Sequence, residues 1–293
     1  MDSILVTLGF GLVTAAVLAL SSVAFTLEYA VSKVPNLAHG GILTFGAYCA
    51  YLALHMTGSV AISAVAAAAG GAAIAWVMNF SVIQRFIAKG TNLLVIFIAT
   101  LGLSFIIQNV LVMAFGAANV AYSIHQGAPH HVGPFLWTGT EEEIILSAVG
   151  IGALLYLIIQ HTKFGKALRA VSQNRDLARV TGIRAPRVSA LTWLLAGAVG
   201  GYAGFILAET VGTFNPYSGF SYLLITLTAA VAGGLGRAFG TMAGAVIVGI
   251  VLAYTGGYIS SSYELAFSFA ILALVVLFRP RGLFTKARRS AFE

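Results

Sequence analysis

The sequence predicts an all-α, polytopic helical membrane protein of eight or nine transmembrane helices, with its N-terminus outside and its C-terminus cytoplasmic. Three observations carry that reading. The chain is 59% hydrophobic and 9% charged, with a mean hydropathy of +0.94, where a soluble domain is about one quarter charged. Thr91 to Thr140 and Thr210 to Leu235 contain no Asp, Glu, Lys or Arg, and each exceeds the roughly 20 residues needed to cross a hydrocarbon core of about 30 Å. The charged residues also sort by sign into alternating segments between the apolar runs. A β-barrel, with weak alternation in segments of about ten residues, does not fit unbroken runs of this kind.

Nine apolar stretches follow in order: 4–27, 38–56, 59–80, 93–116, 144–160, 188–208, 221–236, 240–257 and 263–278. The first has no basic leader and is followed by Glu28 rather than a small-residue cleavage site, so it reads as a retained helix. The breaks use turn chemistry or charge: Pro35-Asn36, Thr57-Gly58-Ser59, Arg85 to Lys89, Glu141 to Glu143, Asn215-Pro216, Gly236-Arg237 and Gly256-Gly257. The stretches 221–236 and 263–278 are short, and Gly233-Gly234-x-Gly236 suits either a loop or a re-entrant bend.

Orientation follows from the basic residues. With nine crossings from an external start, the inner segments hold Lys33, Arg85, Lys89, seven Lys/Arg in 162–187, Arg237 and five in 279–289, which accounts for all 16. The outer segments carry Asp2, Glu141, Glu142, Glu143, Glu209 and Glu264 and no Lys or Arg. Basic loops resist translocation, so the bias is an orientation signal. The whole chain, 1–293, reads as one transmembrane domain with a cytoplasmic element at 162–187 and a basic cytoplasmic tail at 279–293. The single Cys49 excludes a disulfide framework. In the outer loop 117–140, His125, His130 and His131 precede three glutamates. A metal site is the sharper reading of these residues. The preferred one is a polar loop abutting a helix whose N-terminal end favours acids.

The stretch 162–187, TKFGKALRAVSQNRDLARVTGIRAPR, sets seven basic residues against one acid, Asp176. Phe164, Leu168 and Val171 recur at helical spacing with Lys163, Lys166 and Arg169 between them, which predicts an amphipathic helix offering its apolar face to a partner. Thr162 suits an N-cap, and Asn174 suits a second one with Asp176 near the positive end of the helix that follows. Gly182 suits the left-handed residue that closes it, and Pro186 prevents continuation. A mere anchor on lipid headgroups needs no caps, so the stretch reads as a docking element.

Here the residues resemble a known family. Asp176-Leu177-Ala178-x-x-x-Gly182 is similar to the Glu-Ala-Ala-x-x-x-Gly coupling loop of ATP-binding-cassette importer permeases, and the run Thr162 to Ile183 resembles permeases of the branched-chain amino acid importer family. Asn36-Leu37-Ala38-His39-Gly40 with Phe45-Gly46-Ala47-Tyr48 resembles that family's signature at the head of the second helix. Gly233-Gly234-Leu235-Gly236 with Gly240 and Gly244, and Arg279-Pro280-Arg281-Gly282-Leu283-Phe284, resemble its late glycine-rich and C-terminal segments. Leu177 departs from the pattern, which usually has a second small residue there.

The resemblance implies a permease subunit in a bacterial or archaeal inner membrane that pairs with a related or identical permease. Two cytoplasmic ATPase subunits would dock through Phe164, Arg169, Asn174, Asp176, Ala178, Arg179 and Gly182, and an external binding protein would deliver substrate. ATP and Mg would be bound by the partner subunits. The segment Gly234 to Thr241 lacks the Lys and spacing of a phosphate-binding loop, so no cofactor is expected in this chain. Membrane lipid is an expected partner and nucleic acid is not.

Glu28, Asn36, His39, Asn79, Gln108 and Asn109 lie in or at the ends of apolar runs, where a polar group usually faces the bundle interior. Asn79 and Gln108 read as interhelical hydrogen-bonding residues. Asn36, His39 and Gly40, at a helix start, are pore or gate candidates with Asn109, or else structural brackets. The Gly-x-x-x-Gly patches at 197–201, 200–204 and 240–244 read as close packing. A secondary transporter or channel is the competing reading, but it calls for ionisable residues at mid-membrane, and Glu28 is the only acid near a span. A membrane enzyme has no clustered acid–base or nucleophile set here. The largely apolar pore suits small, modestly hydrophobic amino acids.

Overall fold

The computed structural model describes residues 2–124, 127–279 and 282–284; His125 and most of the predicted basic tail lie outside the described residues. The chain forms α1 (Asp2–Ser32), α2 (His39–Thr57), α3 (Val60–Met78), α4 (Gln84–Ala88) and α5 (Leu93–Phe115). A short hairpin follows, β1 (His130–Val132) and β2 (Phe135–Trp137), and then α6 (Gly139–His161), α7 (Lys163–Gln173) and α8 (Arg175–Val180). The last four helices are α9 (Ala185–Val211), α10 (Ser218–Gly233), α11 (Ala238–Tyr258) and α12 (Glu264–Phe278). Among the described residues seven helical segments are long and apolar enough to cross a membrane: α1, α3 with α4, α5, α6, α9, α11, and α12 with the turn before it.

The other two predicted stretches are helices of a different kind. α10 has 16 residues, about 24 Å at 1.5 Å per residue, which is short of a full span. It pairs with α11 through Gly234 to Arg237, so the glycine-rich segment is a tight connection between two helices. α2 carries two histidines and two tyrosines, yet lies against α3, α9 and α10 with 11 of its 19 residues buried. The break read at Arg85 to Lys89 falls later than its first charge. The helix continues from α3 through a π-turn at Asn79–Ile83 to Ala88, because every turn there still finds a backbone acceptor.

α9 is the axis of the bundle. Its buried positions run from Ala185 to Glu209, against α1, α2 and α3. Close approach depends on missing side chains: a Cβ on Gly201 would overlap the Ala67 carbonyl and meet Gly71 on α3, and one on Gly46 of α2 would overlap Gly201. In a bilayer, helices associate by such packing rather than by exclusion of water, so these glycines are where the bundle is cemented. α5, α6 and α12 lie at the periphery and leave large apolar side chains such as Ile98, Leu157 and Phe278 exposed, as a lipid-facing surface requires. The loop predicted at 117–140 contains the hairpin, with His131 opposite Leu136, seated against the start of α1 through Phe135 and Trp137. Thr138 and Glu141 then form a capping box that starts α6 five residues earlier than predicted.

Candidate functional site

At the basic end of the bundle, α7 and α8 form as the sequence predicts. The Thr162 hydroxyl accepts from the Gly165 amide at 3.0 Å, and Asn174 Oδ1 accepts from the amides of Asp176 and Leu177 at 3.1 and 3.0 Å. Gly182 takes φ +86°, and the Ile183 amide donates to the Ala178 carbonyl at 3.0 Å, which closes α8 as a Schellman turn.

One expectation is corrected here. The apolar face of α7 is not offered outward: Leu168 and Val171 are 3% and 2% exposed, packed into the chain's own bundle against α1, α6 and α9, with Phe164 half-buried beside them. The apolar stripe is satisfied from within because the ends of α1, α6 and α9 would otherwise be uncovered there. Arg169 also turns inward, where its Nη1 donates to the Ile159 carbonyl and to Gln160 Oε1 at the last turn of α6. What remains outward is α8. Leu177 is 62% exposed and Val180 85% exposed, flanked by exposed Asp176, Arg179 and Gly182, while Ala178 is buried. Two bare aliphatic side chains thus stand exposed on a capped, polar turn.

The second polar region is buried. Glu28 near the end of α1 and His39 at the start of α2 are both 0% exposed. The Glu28 carboxylate accepts from Asn36 Nδ2 at 2.7 Å and lies 3.0 Å from His39 Nδ1. Asn36 Oδ1 accepts from the Ala38 amide at 3.0 Å, and the Leu37 amide donates to the Thr100 hydroxyl of α5 at 3.1 Å. On its other side His39 Nε2 is 3.5 Å from the Ser21 hydroxyl, which is 2.8 Å from that of Thr226 on α10. The α1–α2 break is thus pinned to α5 and α10. Lys33, in the same break, donates to the Ser172 carbonyl of α7, and partial burial holds its ammonium below the usual lysine range.

Beyond the break, α2, α9, α10 and α12 enclose a cavity of about 400 Å³. Its walls are mostly apolar, with Thr44, Asn215, Ser218, Ser221 and Glu264 among several polar groups. Gly40 sits below it, crossing Gly219 at the start of α10 so closely that either Cβ would overlap the other's backbone. The four sequence candidates separate accordingly. Asn36 and His39 face Glu28 and do not line the cavity, Gly40 is a crossing point, and Asn109 is on the exposed side of α5 with its amide donating to the Phe105 carbonyl at 2.8 Å. Asn79 meets Ser189 of α9 at 3.4 Å as expected of an interhelical residue, whereas Gln108 bonds Ser104 within its own helix.

Sequence reasoning missed Thr44 and Glu264 as cavity residues, and it placed Glu209 in an outer segment although that residue is buried in the last turn of α9. The signal for Thr44 was its place one turn beyond Gly40. Among the described residues there is no cluster of three metal-ligating side chains, and His130 instead pairs with Glu142 at 2.9 Å.

Residues 7–276 match the family described as branched-chain amino acid transport system / permease component. Similar proteins include the high-affinity branched-chain amino acid transport system permease protein LivH of Escherichia coli, 31% identical over 93% of this chain and 92% of its own length. BraD of Pseudomonas aeruginosa, described in the same words, is 28% identical over 93% of each chain. The ribose import permease protein RbsC of Escherichia coli is 26% identical over 88% of this chain and 81% of its own length. No solved structure matches. A polytopic helical bundle matched along nearly its whole length to one family of membrane transport components belongs to it: this chain is a member of the family described as branched-chain amino acid transport system / permease component.

Proposed function

We propose that the chain is the membrane subunit of an ATP-driven importer, moving branched-chain or related amino acids delivered by an external binding protein. The observation that supports this best is the exposed Leu177–Val180 pair on α8, presented on a capped turn outside the apolar helices. ATP and Mg are bound and ATP is hydrolysed in two partner ATPase subunits that seat on α8, Asp176, Arg179 and Gly182. A second permease, related or identical, completes the pore. The basic end faces the cytoplasm, following the distribution of Lys and Arg.

A partner acts on the transport path only through contacts that differ between two states. Movement at α8 reaches α7 directly and then the α1–α2 break through Lys33 and Ser172. The break is bonded through His39, Ser21 and Thr226 to α10, whose start borders the cavity. The cavity's mostly apolar walls suit an aliphatic amino acid, with the Glu264 carboxylate placed to meet an ammonium group.

Uptake of a labelled branched-chain amino acid into vesicles holding both permeases, the ATPase subunits and the binding protein tests the proposal. Leu177→Glu combined with Val180→Glu should abolish ATP-dependent uptake while membrane insertion and the melting temperature stay as in the wild type. Uptake that persists without ATPase subunits would instead mark a secondary transporter.

A further inference from the structure

A second groove, of about 490 Å³, opens at the basic end between α1, α6, α7 and α11. Its polar border holds Arg169, Arg237, Gln160, Ser172 and Thr26, and among the described residues no acidic one lines it. Among the described residues neither arginine has a carboxylate partner. Arg169 spends Nη1 on the end of α6, and Arg237 Nη1 reaches the Phe284 carbonyl at 3.4 Å, which leaves most of the five donors of each guanidinium uncommitted.

Two further features converge on the same groove. α11 begins there, at Ala238, after an N-cap residue whose side chain makes no capping hydrogen bond, so the residues of its first turn border the groove without a side-chain cap on their amides. Thr26, on α1, borders the groove and leaves its hydroxyl without a partner although the residue is 1% exposed. A buried hydroxyl of this kind ordinarily bonds its own helix, and an orphan one marks a place where something polar is missing. Two guanidiniums without a carboxylate partner, an uncapped 21-residue helix start and an orphan hydroxyl together describe a receptor for a small, delocalised anion.

The remainder of the lining decides which anion. Leu27, Ala30, Leu168, Phe239 and Ala243 form an apolar floor, and half-exposed Tyr156 of α6 packs edge-on against Phe239. A free phosphate has no use for such a floor, whereas a lipid has an acyl chain to lay on it. Basic pockets between helices at the membrane surface suit anionic headgroups. We infer that this groove binds the phosphate of an anionic phospholipid, with its headgroup on Arg169, Arg237, Thr26 and the α11 amides and its acyl chain along α6 and α11. Nothing in this inference depends on which substrate is transported or on how α8 couples.

The test is native mass spectrometry of the full chain in detergent with phosphatidylglycerol and phosphatidylcholine of matched acyl chains. Phosphatidylglycerol should be retained about tenfold over phosphatidylcholine, from charge-assisted hydrogen bonds that only a net anion fully recovers. Arg237→Ala should lower that preference about tenfold and Thr26→Val about threefold, while Arg237→Lys keeps most of it. Thr26→Val keeps the side-chain shape, so it reports on the site even where Arg237→Ala impairs folding. Equal retention of the two lipids, or a preference unchanged in both Arg237→Ala and Thr26→Val, overturns the assignment. Displacement of the lipid by millimolar inorganic phosphate also overturns it, in favour of a free-phosphate site.

Discussion

Two polar regions interrupt this apolar chain, and they are built on opposite rules. In 162–187 the capping side chains satisfy nearby backbone, the apolar ones of α7 fold back onto α1, α6 and α9, and Leu177 and Val180 of α8 stay outward. In 28–39 the polar side chains satisfy one another: Glu28, Asn36 and His39 are all within 1% of full burial and share a single carboxylate. The fold tolerates change in single exposed residues of the first region, and under the proposed coupling its loss would be felt at a partner. The second is a closed network in low dielectric, where removing one member leaves the others unpaired. The difference teaches where stability and function separate in this fold.

Breaking the buried network should have the largest effect on folding. Glu28→Ala leaves His39 and Asn36 without their shared acceptor, and a loss of about 3–5 kcal/mol is expected, read as a collapse of the melting temperature in detergent. Glu28→Gln, which keeps an oxygen for Asn36, should cost less; equal losses for the two would mean that the charge, not the hydrogen bonding, holds the break. Next comes the packing around the axis. Gly201→Val drives a side chain into α3 and should destabilise by about 1–3 kcal/mol. Wild-type melting for that variant would show that α3 and α9 approach less closely than described. Asn174→Ala removes the cap of α8 and should cost about 1 kcal/mol, with a larger effect on ATPase docking than on melting. Smallest on stability is Leu177→Glu, within about 0.5 kcal/mol, although it should be among the most damaging to ATP-coupled uptake. A large drop in melting temperature there would make α8 part of the core and erase the contrast between the two regions.

Much of the exposed region was legible in advance. The N-caps at Thr162 and Asn174 and the left-handed Gly182 form because each satisfies backbone within a few residues of itself, and local chemistry of that kind is written in local sequence. The side on which α7 buries Leu168 and Val171 was not legible. An amphipathic helix shows that it has an apolar face but not whose surface covers it. The cavity was harder still. Thr44, Ser221 and Glu264 come from three separated helices and meet only because Gly40 and Gly219 let α2 and α10 cross so closely. The groove at Arg237 shares that property, since its lining comes from four helices and the segment around Phe284.

By itself the sequence determined the class of the molecule, the positions of its apolar helices and the capped element at 162–187. Hydrophobic run length, charge sorting and capping are properties of single segments, and they act before any two helices meet. Tertiary structure alone decided that Glu28, Asn36 and His39 close on one another, and that α2 and α10 are inner helices around a cavity. It also left Leu177 and Val180, rather than the face of α7, as the surface turned outward. The physical reason is that burial in a membrane bundle depends on which backbones can approach, and the pairing of glycines that permits it is set between helices, not within them.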